Sequence, residues 1–379
     1  MIIRKIVLPV FILFHASYTR AGGISGCSFP FENCLWEEDP DNPIIVPEGG
    51  YEDDNIYAPD VHLEGAIYKM WYGGQGTDGH DRIHYATSID GVHWAKHGVV
   101  IDNGDANHVN DPSVVKVGET YYMYYTKDYL GPGPEESAYI YVATSQDGIH
   151  WAERGIAISK GPSGSWNSKA VARPSVIYEN GIFKMWFDGH NGIARHVAYA
   201  TSSDGLNWTI QNNGQPVFYN AGAVDVKRIG DYYVLVHESH EGTKWALSPD
   251  GISWIDKGFL FFKSGKSYDA YGHVTPMIFV DSNGNWAGVY YGAASHECWC
   301  RNRIALRYGR VPCQNDDNLC PSGCSPEKDN DCELDLNGDG RVDAKDFKIL
   351  LRNWRTSQGD LDKDGIVTTI DLGIMRRKF

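Results

Sequence analysis

Polar side chains, most of them charged, recur at a roughly regular interval along this chain of 379 residues, each near the start of a short apolar segment. We call these five positions the lead residues, and they are spaced 51, 62, 52 and 50 residues apart: Asp60, Asp111, Arg173, Asp225 and Thr275. Structural residues at such places are more often apolar, so three aspartates and one arginine indicate chemistry. Carboxylates that converge on one pocket repel one another, and their pKa values move apart. One carboxyl group then donates a proton while another activates water, as cleavage of a glycosidic bond requires.

A second repeat shows which elements must position the lead residues. The phrase Ser-x-Asp-Gly-x-x-Trp occurs four times: Ser88–Trp94, Ser145–Trp151, Ser202–Trp208 and Ser248–Trp254. Its Asp-Gly pair supplies a turn in which glycine takes a positive φ, and the serine and aspartate oxygens can cap the turn amides. The tryptophan that follows would pack between adjacent sheets. We therefore interpret the phrase as a structural staple and not as a catalytic motif.

The segments between these turns are short, aromatic and β-branched, which is typical of strands. Each lead segment resembles a strand, a tight turn and a second strand, and each Ser-x-Asp-Gly turn joins a third strand to a fourth. Five units of four strands, with no helical periodicity between them, predict an all-β protein with a five-bladed β-propeller over residues 22–310. The innermost strands of a propeller surround a central funnel, so we expect the lead residues to face it.

The amino terminus has the pattern of a secretory signal. Arg4 and Lys5 precede nine apolar residues, Ile6–Phe14, and Thr19–Ala21 offers a cleavage site. Nine apolar residues are too few to span a bilayer. We therefore expect residues 1–21 to be a signal peptide, and the protein to be secreted and extracellular, with no membrane partner.

The cysteine count agrees with an exported protein, in which paired cysteines form disulfide bonds. There are eight: Cys27, Cys34, Cys298, Cys300, Cys313, Cys320, Cys324 and Cys332. The last four lie within residues 313–332, and their spacing does not give the Cys-x-x-Cys pairs of a zinc site, although zinc stays an alternative. Residues 311–332 are predicted to be a Cys-rich linker. Cys298 and Cys300 are too close to bond comfortably to each other, and we expect them to pair with Cys27 and Cys34.

The charge of the chain bears on its partners. The formal net charge is −15, and residues 23–54 hold nine acidic and no basic side chains. Such a surface repels phosphate backbones and anionic lipid headgroups. We therefore expect no nucleic-acid partner.

The carboxy-terminal segment contains two copies of a calcium-loop pattern. Oxygen ligands stand at alternate positions of a 12-residue loop, and Gly340 occupies the sixth position, where the chain must turn sharply. The first loop offers Asp335, Asn337, Asp339, Arg341 through its carbonyl, Asp343 and Asp346. The second offers Asp360, Asp362, Asp364, Ile366 through its carbonyl, Thr368 and Asp371. We therefore predict two bound calcium ions as the cofactors, and no cofactor is established for the propeller.

Position twelve of each loop is aspartate, where ordinary EF-hands have a bidentate glutamate. Short helices are predicted after the loops, within FKILLRNW and LGIMRRKF, and none precedes the first. The tandem loops at the end of the chain resemble a dockerin domain over residues 333–379. The resemblance implies a small all-α domain that folds with calcium and tethers a secreted polysaccharide-degrading enzyme to a cohesin scaffold protein.

The propeller segment resembles the five-bladed glycosidases of glycoside hydrolase families 43 and 32. The resemblance rests on APDV at Ala58–Val61, DPS at Asp111–Ser113 and the Ser-x-Asp-Gly turns, and it covers roughly residues 50–310. It implies that Asp60 is the catalytic base or nucleophile. It further implies that Asp111 modulates the pKa of the acid and binds sugar hydroxyls.

The third lead residue departs from that pattern. Family 32 has an acid glutamate there, whereas this chain has Arg173, which cannot act as a general acid. Glu238, between aromatic and imidazole side chains, is our replacement for the proton donor, with Asp225 and Asp188 as further candidates. The expected substrate-binding residues are Arg173, Asp225, Asp188, His190, His237, His273 and Trp71.

These observations predict a secreted glycoside hydrolase that cleaves a plant or algal polysaccharide or oligosaccharide and is tethered by a dockerin. The alternative is a non-catalytic carbohydrate-binding propeller of an extracellular assembly, which the missing glutamate favours. A third hypothesis is a phosphorylase or lyase on the same scaffold. A phosphorylase would need several basic groups around the funnel, and only Arg173 is obvious from the sequence.

Overall fold

The computed structural model describes residues 27, 29, 31–130, 136–298 and 301–310, and at the carboxy terminus residues 334–336, 342, 344–352 and 361. The predicted signal peptide, the Cys-rich linker and most of both calcium loops lie outside these residues. Strands dominate the described part, which confirms the predicted all-β, propeller-like class. None of the helices in this part has the length and apolar character that a membrane crossing requires.

The strands group into five antiparallel units. After the amino-terminal strand β1 (Leu35–Glu38), unit 1 comprises β2 (Asn55–Glu64), β3 (Ile67–Gln75), β4 (Asp81–Ser88) and β5 (Ala95–Ile101). Unit 2 comprises β6 (His108–Val117), β7 (Thr120–Leu130), β8 (Glu136–Ser145) and β9 (Ala152–Ile158). One parallel bridge, between Asp81 and His108, joins these two units into one sheet.

The other three units are separate sheets. Unit 3 comprises β10 (Ala170–Glu179), β11 (Ile182–His190), β12 (Arg195–Ser202), β13 (Thr209–Ile210) and β14 (Phe218–Tyr219). Unit 4 comprises β15 (Asp225–Ile229), β16 (Tyr232–His237), β17 (Gly242–Ser248) and β18 (Ile255–Phe262). Unit 5 comprises β19 (Gly272–Val280), β20 (Trp286–Ala294) and β21 (Arg303–Arg310), and β1 completes it by pairing with β21.

Short helices connect or follow the strands. Four 3₁₀ helices lie at Phe31–Asn33, Gly50–Glu52, Asn212–Gly214 and Ser267–Asp269. The α-helix α1 spans Ala344–Arg352 and overlaps the segment FKILLRNW, in which a short helix was predicted. Leu334, Val342 and Leu350 form a buried cluster there together with Leu361. A small apolar core of its own is consistent with a separate carboxy-terminal domain.

The innermost strands of neighbouring units are joined by hydrogen bonds from backbone N–H groups to side-chain oxygens. The N–H groups of Val114, Val176, Val226 and Ile278 donate to Asp60 Oδ2, Ser113 Oγ, Ser175 Oγ and Asp225 Oδ2, at 2.6, 2.9, 2.9 and 2.7 Å. Between units 5 and 1, Ala58 N–H donates to Thr275 Oγ1 at 2.8 Å. The five units therefore close on one another in sequence order.

One residue on each innermost segment has a left-handed backbone, with φ between 41° and 52°: Ala58, Asp111, Arg173, Ala223 and Thr275. Proline follows four of these five residues, and a register shift in β2, β6, β10 and β19 accompanies them. The predicted alignment of the lead residues was therefore wrong in units 1 and 4. Asp60 and Asp225 lie two positions further along their segments than Asp111, Arg173 and Thr275 do.

The Ser-x-Asp-Gly turns have the hydrogen bonds that the sequence predicts. In the first copy, Gly91 N–H donates to Ser88 Oγ at 2.9 Å, and the N–H groups of Val92 and His93 donate to Asp90 Oδ1 at 2.9 Å. The other three copies repeat this pattern. The aspartate of the turn is thus fully used by its own backbone.

The predicted disulfide pairing of the amino-terminal segment was wrong. Cys27 and Cys34 are bonded to each other, with their Cα atoms 6.0 Å apart, and not to Cys298 and Cys300. Cys298 is disulfide-bonded to a residue outside the described part. Only six residues separate Cys27 from Cys34 along the chain, so a local bridge closes this segment beside unit 5, where Cys27 pairs with Trp286.

Candidate functional site

The left-handed residues line a narrow space, and three of them also line a wider one. A narrow space of about 40 Å³, here called the axial channel, is lined by the innermost segments of all five units. A wider space of about 650 Å³, here called the wide cavity, is lined mainly by units 1, 2 and 3, with Glu238 from unit 4 and Thr275 from unit 5. Asp111, Arg173 and Thr275 line both spaces, so they lie where the channel meets the cavity.

Asp111 has the electrostatic properties of a proton donor. Its Oδ2 accepts a hydrogen bond from Thr126 Oγ1 at 3.0 Å, and its Oδ1 is buried with no hydrogen-bond partner among the described residues. Burial raises the pKa of Asp111 from its ordinary 3.8 to about 7, although Arg173 and the Thr126 hydrogen bond oppose the shift. The negative charges of Asp188 and Asp81 raise it further. A substantial fraction of this carboxyl group is therefore protonated near neutral pH.

Arg173 connects Asp111 to two further carboxylates. Its Nε donates to Asp188 Oδ2 at 2.7 Å, and its Nη1 donates to Glu238 Oε1 at 3.0 Å. The Nη2 atom is buried without a hydrogen-bond partner in the described chain, so it can donate to a ligand. The backbone N–H of Arg173 donates to Thr126 Oγ1 at 2.9 Å, so one hydroxyl group contacts both residues.

Asp188 binds the guanidinium groups of Arg173 and Arg195 from the side away from the cavity. It is fully buried, its Oδ1 accepts from Arg195 Nη1 at 3.0 Å, and its Oδ2 also accepts from Ala223 N–H at 2.8 Å. Two guanidinium groups therefore share one buried carboxylate, which fixes their positions at the cavity wall. We had expected Asp188 to bind substrate, and the structure instead places it beneath the residues that line the cavity.

A second polar cluster lines the cavity on the side of units 1 and 2. Asp81 Oδ2 lies 2.9 Å from His108 Nδ1 and accepts from Asn110 Nδ2 at 3.2 Å. Asn110 Nδ2 also donates to the Tyr57 hydroxyl at 2.7 Å. Burial lowers the pKa of His108, but the hydrogen bond and charge of Asp81, together with the charges of Asp128 and Asp111, outweigh burial and raise that pKa overall. Burial, with Asp81 and Asp111 nearby, raises the pKa of Tyr57 well above its ordinary value.

Two of the predicted catalytic or binding aspartates lie only along the axial channel. Asp60 Oδ2 accepts from Val114 N–H and lies 3.1 Å from His62 Nε2. Asp225 accepts from Ser175 Oγ at 2.7 Å, from Lys227 Nζ at 2.8 Å and from Ile278 N–H at 2.7 Å. Burial raises the pKa of Asp60, but His62, Lys227 and the Val114 N–H together outweigh burial and lower that pKa overall. These carboxylates are occupied by the protein itself.

The remaining predicted residues divide between the cavity and the core. Glu238 and His190 line the wide cavity. His237 is buried, and burial lowers its pKa to about 4. His273 is fully buried, with Nδ1 3.0 Å from Thr243 Oγ1 and Nε2 3.3 Å from Asp269 Oδ2. These two histidines are therefore neutral core groups around neutral pH.

Trp71 is also a core residue and does not form a stacking surface. It is fully buried, its Nε1 donates to the carbonyl of Gly148 at 2.8 Å, and its ring packs against Tyr85 and Trp151. Gly148 belongs to the Ser-x-Asp-Gly turn of unit 2, so Trp71 joins two units. Trp186 makes the same contact with the turn of unit 4, through a 2.7 Å hydrogen bond to Gly251.

Most of the predicted calcium ligands lie outside the described residues. Of the predicted ligands, only Asp335 and Asp346 are described, and Asp346 is fully buried in the first turn of α1. Within the described chain, no cluster of three or more histidine, cysteine or acidic side chains has a geometry that would hold a metal ion.

The sequence analysis missed several residues of the cavity wall: Asp81, His108, Asn110, Thr126 and Arg195. Asp81 and Arg195 are each the first residue of the third strand in their unit. A charged residue at the first position of the third strand, in two units, is the signal that could have found them. Asn110 directly precedes Asp111 in the sequence, so its position near the cavity could also have been predicted.

Comparison with known proteins relates this fold to enzymes of carbohydrate chemistry. Residues 51–133 match the model of glycoside hydrolase family 130, described as beta-1,4-mannooligosaccharide phosphorylase. An uncharacterized protein of Mycobacterium tuberculosis is 31% identical over 181 residues, which are 45% of this chain and 60% of that relative. The chain thus spans about three-fifths of the length of that curated relative. A 1,2-beta-oligomannan phosphorylase of a Thermoanaerobacter species is 20% identical over 285 residues, 67% of this chain and 92% of that enzyme.

Solved structures show the same fold. A family 117 glycoside hydrolase of Zobellia galactanivorans superposes with a TM-score of 0.59 at 18% identity, over 73% of this chain and 90% of that one. A second structure comes from work on family 130 hydrolases that target beta-1,2 mannosidic linkages in Candida mannan. It superposes with a TM-score of 0.56 at 18% identity, over 73% of this chain and 93% of that one. The finer resemblance to families 43 and 32 stays a prediction. The strands of this chain therefore have the β-propeller-like fold of glycoside hydrolases and phosphorylases.

Proposed function

We propose that this protein hydrolyses a glycosidic bond of a mannose-containing oligosaccharide in the wide cavity, with Asp111 as the proton donor. The observation that carries the proposal is the position of Asp111 between channel and cavity, with a pKa of about 7 and a buried oxygen without a protein partner. A carboxylic acid with such a pKa can protonate a leaving glycosidic oxygen at neutral pH. The family 130 match and the oligomannan phosphorylase relative support a mannoside as the substrate.

Glu238 is the group that we propose to activate water. It lines the wide cavity, and Arg173 Nη1 holds its Oε1 at 3.0 Å. Asp111 and Glu238 therefore both interact with the same guanidinium, one as a raised-pKa acid and the other as its hydrogen-bonded partner. This pairing differs from the roles expected from the sequence, where Glu238 was the candidate acid and Asp111 the residue that modulates the pKa of the acid. Asp60 takes no part in the chemistry in this proposal.

Phosphorolysis is the second candidate. Arg173 and Arg195 both line the cavity, and the Nη2 atom of Arg173 can donate to an incoming anion. Against this, Asp188 and Glu238 already pair with these guanidinium groups, so a phosphate dianion would approach Glu238 closely. Like charges in a buried site repel strongly. For this reason we place hydrolysis first.

Product analysis with β-1,2- and β-1,4-mannobiose distinguishes these reactions. We expect the full-length protein to release mannose in phosphate-free buffer, at a rate that added phosphate does not raise. Mannose 1-phosphate as the product would instead establish phosphorolysis. Tight binding of mannobiose with no release under either condition would refute cleavage and support the non-catalytic carbohydrate-binding alternative.

The finer architecture is also part of the proposal. We infer that the five units are the blades of a five-bladed propeller, because side-chain-to-backbone hydrogen bonds join each innermost strand to the next. We also propose that the chain is secreted, and that residues 333–379 form a dockerin-like domain with two calcium ions and a cohesin partner. The signal pattern, the Cys27–Cys34 disulfide and the tandem loops support this.

Calorimetry with a chelator tests the calcium domain. Removal of calcium should abolish a small unfolding transition of residues 333–379 and leave the main transition of the propeller in place, because the two apolar cores are separate clusters. Restored calcium should bring the small transition back. If both parts melt together and shift together on chelation, the separate calcium domain is refuted.

A further inference from the structure

Asp81 presents an unused acceptor to the wide cavity. The residue is 4% exposed and lies at the start of β4, among the side chains that line the cavity. Its Oδ2 is held by His108 and Asn110, whereas its Oδ1 is buried and has no hydrogen-bond partner among the described residues. A buried acceptor of this kind costs about 1–3 kcal/mol unless a ligand or water satisfies it. The carboxylate is therefore positioned and has a vacant lone pair.

Asn110 presents a second acceptor beside it. Its Nδ2 donates to both the Tyr57 hydroxyl and Asp81 Oδ2, and the carboxylate oxygen, which can only accept, fixes the orientation of the amide group. Its Oδ1 is consequently left as an acceptor, and it too is buried without a partner in the described chain. Two neighbouring acceptors that lack donors match a ligand with two donors.

We propose that Asp81 and Asn110 form a specificity subsite that accepts hydrogen bonds from two hydroxyl groups of one uncharged sugar residue. This inference rests on the proposed function, because it assumes that the cavity holds an oligosaccharide. Hydroxyl groups are the donors that an uncharged sugar offers in pairs, and a bond to an ionised carboxylate is among the stronger ones. Uronic acids and sulfated sugars bring negative charge toward Asp81 and Asp111, so the subsite rejects them.

Binding of two matched disaccharides tests the subsite. β-1,4-mannobiose and β-1,4-dimannuronate differ only in the charged carboxylate at C6 of each ring. Calorimetry uses full-length protein carrying Asp111→Asn, which resembles the protonated acid and prevents turnover. We expect at least tenfold tighter binding of mannobiose. Adding Asp81→Asn should weaken mannobiose binding about 10- to 100-fold, because a charge-assisted hydrogen bond is lost. The ratio of the affinities for mannobiose and dimannuronate should also become smaller.

Asp105→Asn is the matched control, because it removes one exposed carboxylate near unit 2 without touching the cavity. It should leave both affinities unchanged. If Asp81→Asn does not fold, monodeoxy derivatives of methyl β-mannoside provide the measurement on the Asp111→Asn protein. Loss of the hydroxyl groups that bind Asp81 and Asn110 should then weaken binding about tenfold each.

The outcomes separate this inference from the proposed function. Unchanged mannobiose affinity in Asp81→Asn, or no effect of any deoxygenation, overturns the subsite even if the wild type cleaves mannobiose. Preferred binding of dimannuronate overturns it as well, and so does the failure of both sugars to bind. Selective, Asp81-dependent binding of mannobiose by a protein that releases no sugar supports the subsite and refutes only the cleavage.

Discussion

Oδ2 of Asp60 lies 2.6 Å from the backbone nitrogen of Val114, across the boundary between units 1 and 2. Serine occupies the equivalent position in units 2 and 3, where its hydroxyl accepts the same kind of bond. The residue predicted to be the base thus makes a repeated structural contact. The Asp60 carboxylate therefore stabilises the fold. Asp111, in contrast, has the properties expected of a catalytic acid.

Substitution of Asp60 separates these roles. Asp60→Ala leaves the Val114 N–H buried and unpaired, and should lower the free energy of unfolding by about 2–3 kcal/mol. Asp60→Ser should recover part of that loss, because a serine hydroxyl makes this bond elsewhere in the ring. Sugar release by Asp60→Ser should stay within about threefold of wild type. Denaturant unfolding and a product assay measure the two effects, and loss of release from a stably folded Asp60→Ser protein would restore Asp60 as a catalytic candidate.

The raised pKa of Asp111 makes its charged form costly to the fold. Its folded-state pKa of about 7 exceeds the ordinary 3.8, so the folded state binds the extra proton between these values. The stabilisation from that proton is complete below pH 3.8 and is lost as pH rises to about 7, a loss of about 4 kcal/mol at 1.36 kcal/mol per pKa unit.

Asp111→Asn should therefore be more stable than wild type at pH 8, and the difference should shrink toward pH 4. Urea unfolding at both pH values measures it, with Asp105→Asn as the control that shows no such trend. Lower stability of Asp111→Asn at pH 8 would mean that the carboxylate is well accommodated, and would contradict its role as an acid.

The Thr126 hydroxyl lowers the pKa of Asp111. Its hydroxyl donates to Asp111 Oδ2, which favours the charged carboxylate, so Thr126→Val should raise the pKa of Asp111 above about 7. A general acid works only when protonated, so activity falls as pH rises through this pKa. The alkaline limb of the pH–rate profile should move up by about one pH unit, the equivalent of a hydrogen bond worth about 1.5 kcal/mol. A limb that moves down would identify another group as the acid.

Trp71 was expected to contact sugar, and its burial leads to a different expectation. Trp71→Phe removes the hydrogen bond to the Gly148 carbonyl and some apolar contact, and should lower the free energy of unfolding by about 2 kcal/mol. The affinity for mannobiose should not change, because the ring does not line the wide cavity. A tenfold weaker affinity in a folded Trp71→Phe protein would return Trp71 to the site.

The sequence was sufficient where the interactions are local. The hydrogen bonds of a Ser-x-Asp-Gly turn lie within a few residues, so Ser88, Asp90 and Gly91 could be assigned from their pattern alone. The strand order followed from the spacing of these turns. The last unit could not be completed in this way, because its outer strand β1 comes from the opposite end of the chain.

The site depended on information that local patterns do not contain. Asp60 was aligned with Asp111 because both are aspartates near a proline, whereas the left-handed residue of unit 1 is Ala58. Alignment on the proline would have placed Ala58, Asp111 and Arg173 together. Asp81 reaches the cavity because the start of β4 bridges to His108 in the innermost strand of unit 2, and Arg195 because it lies opposite His190 at the end of β11. Contacts between units of this kind are fixed by packing of the whole fold and not by local sequence.

Two leaving groups compared on one variant test the central claim most directly. A poor leaving group such as mannose needs a proton from the acid, whereas dinitrophenolate departs without one. We predict that Asp111→Asn lowers turnover of β-mannobiose about 10²- to 10⁴-fold but lowers turnover of 2,4-dinitrophenyl β-mannoside less than tenfold. If Asp111→Asn cleaves mannobiose at the wild-type rate, or loses both activities equally while remaining folded, Asp111 is not the proton donor.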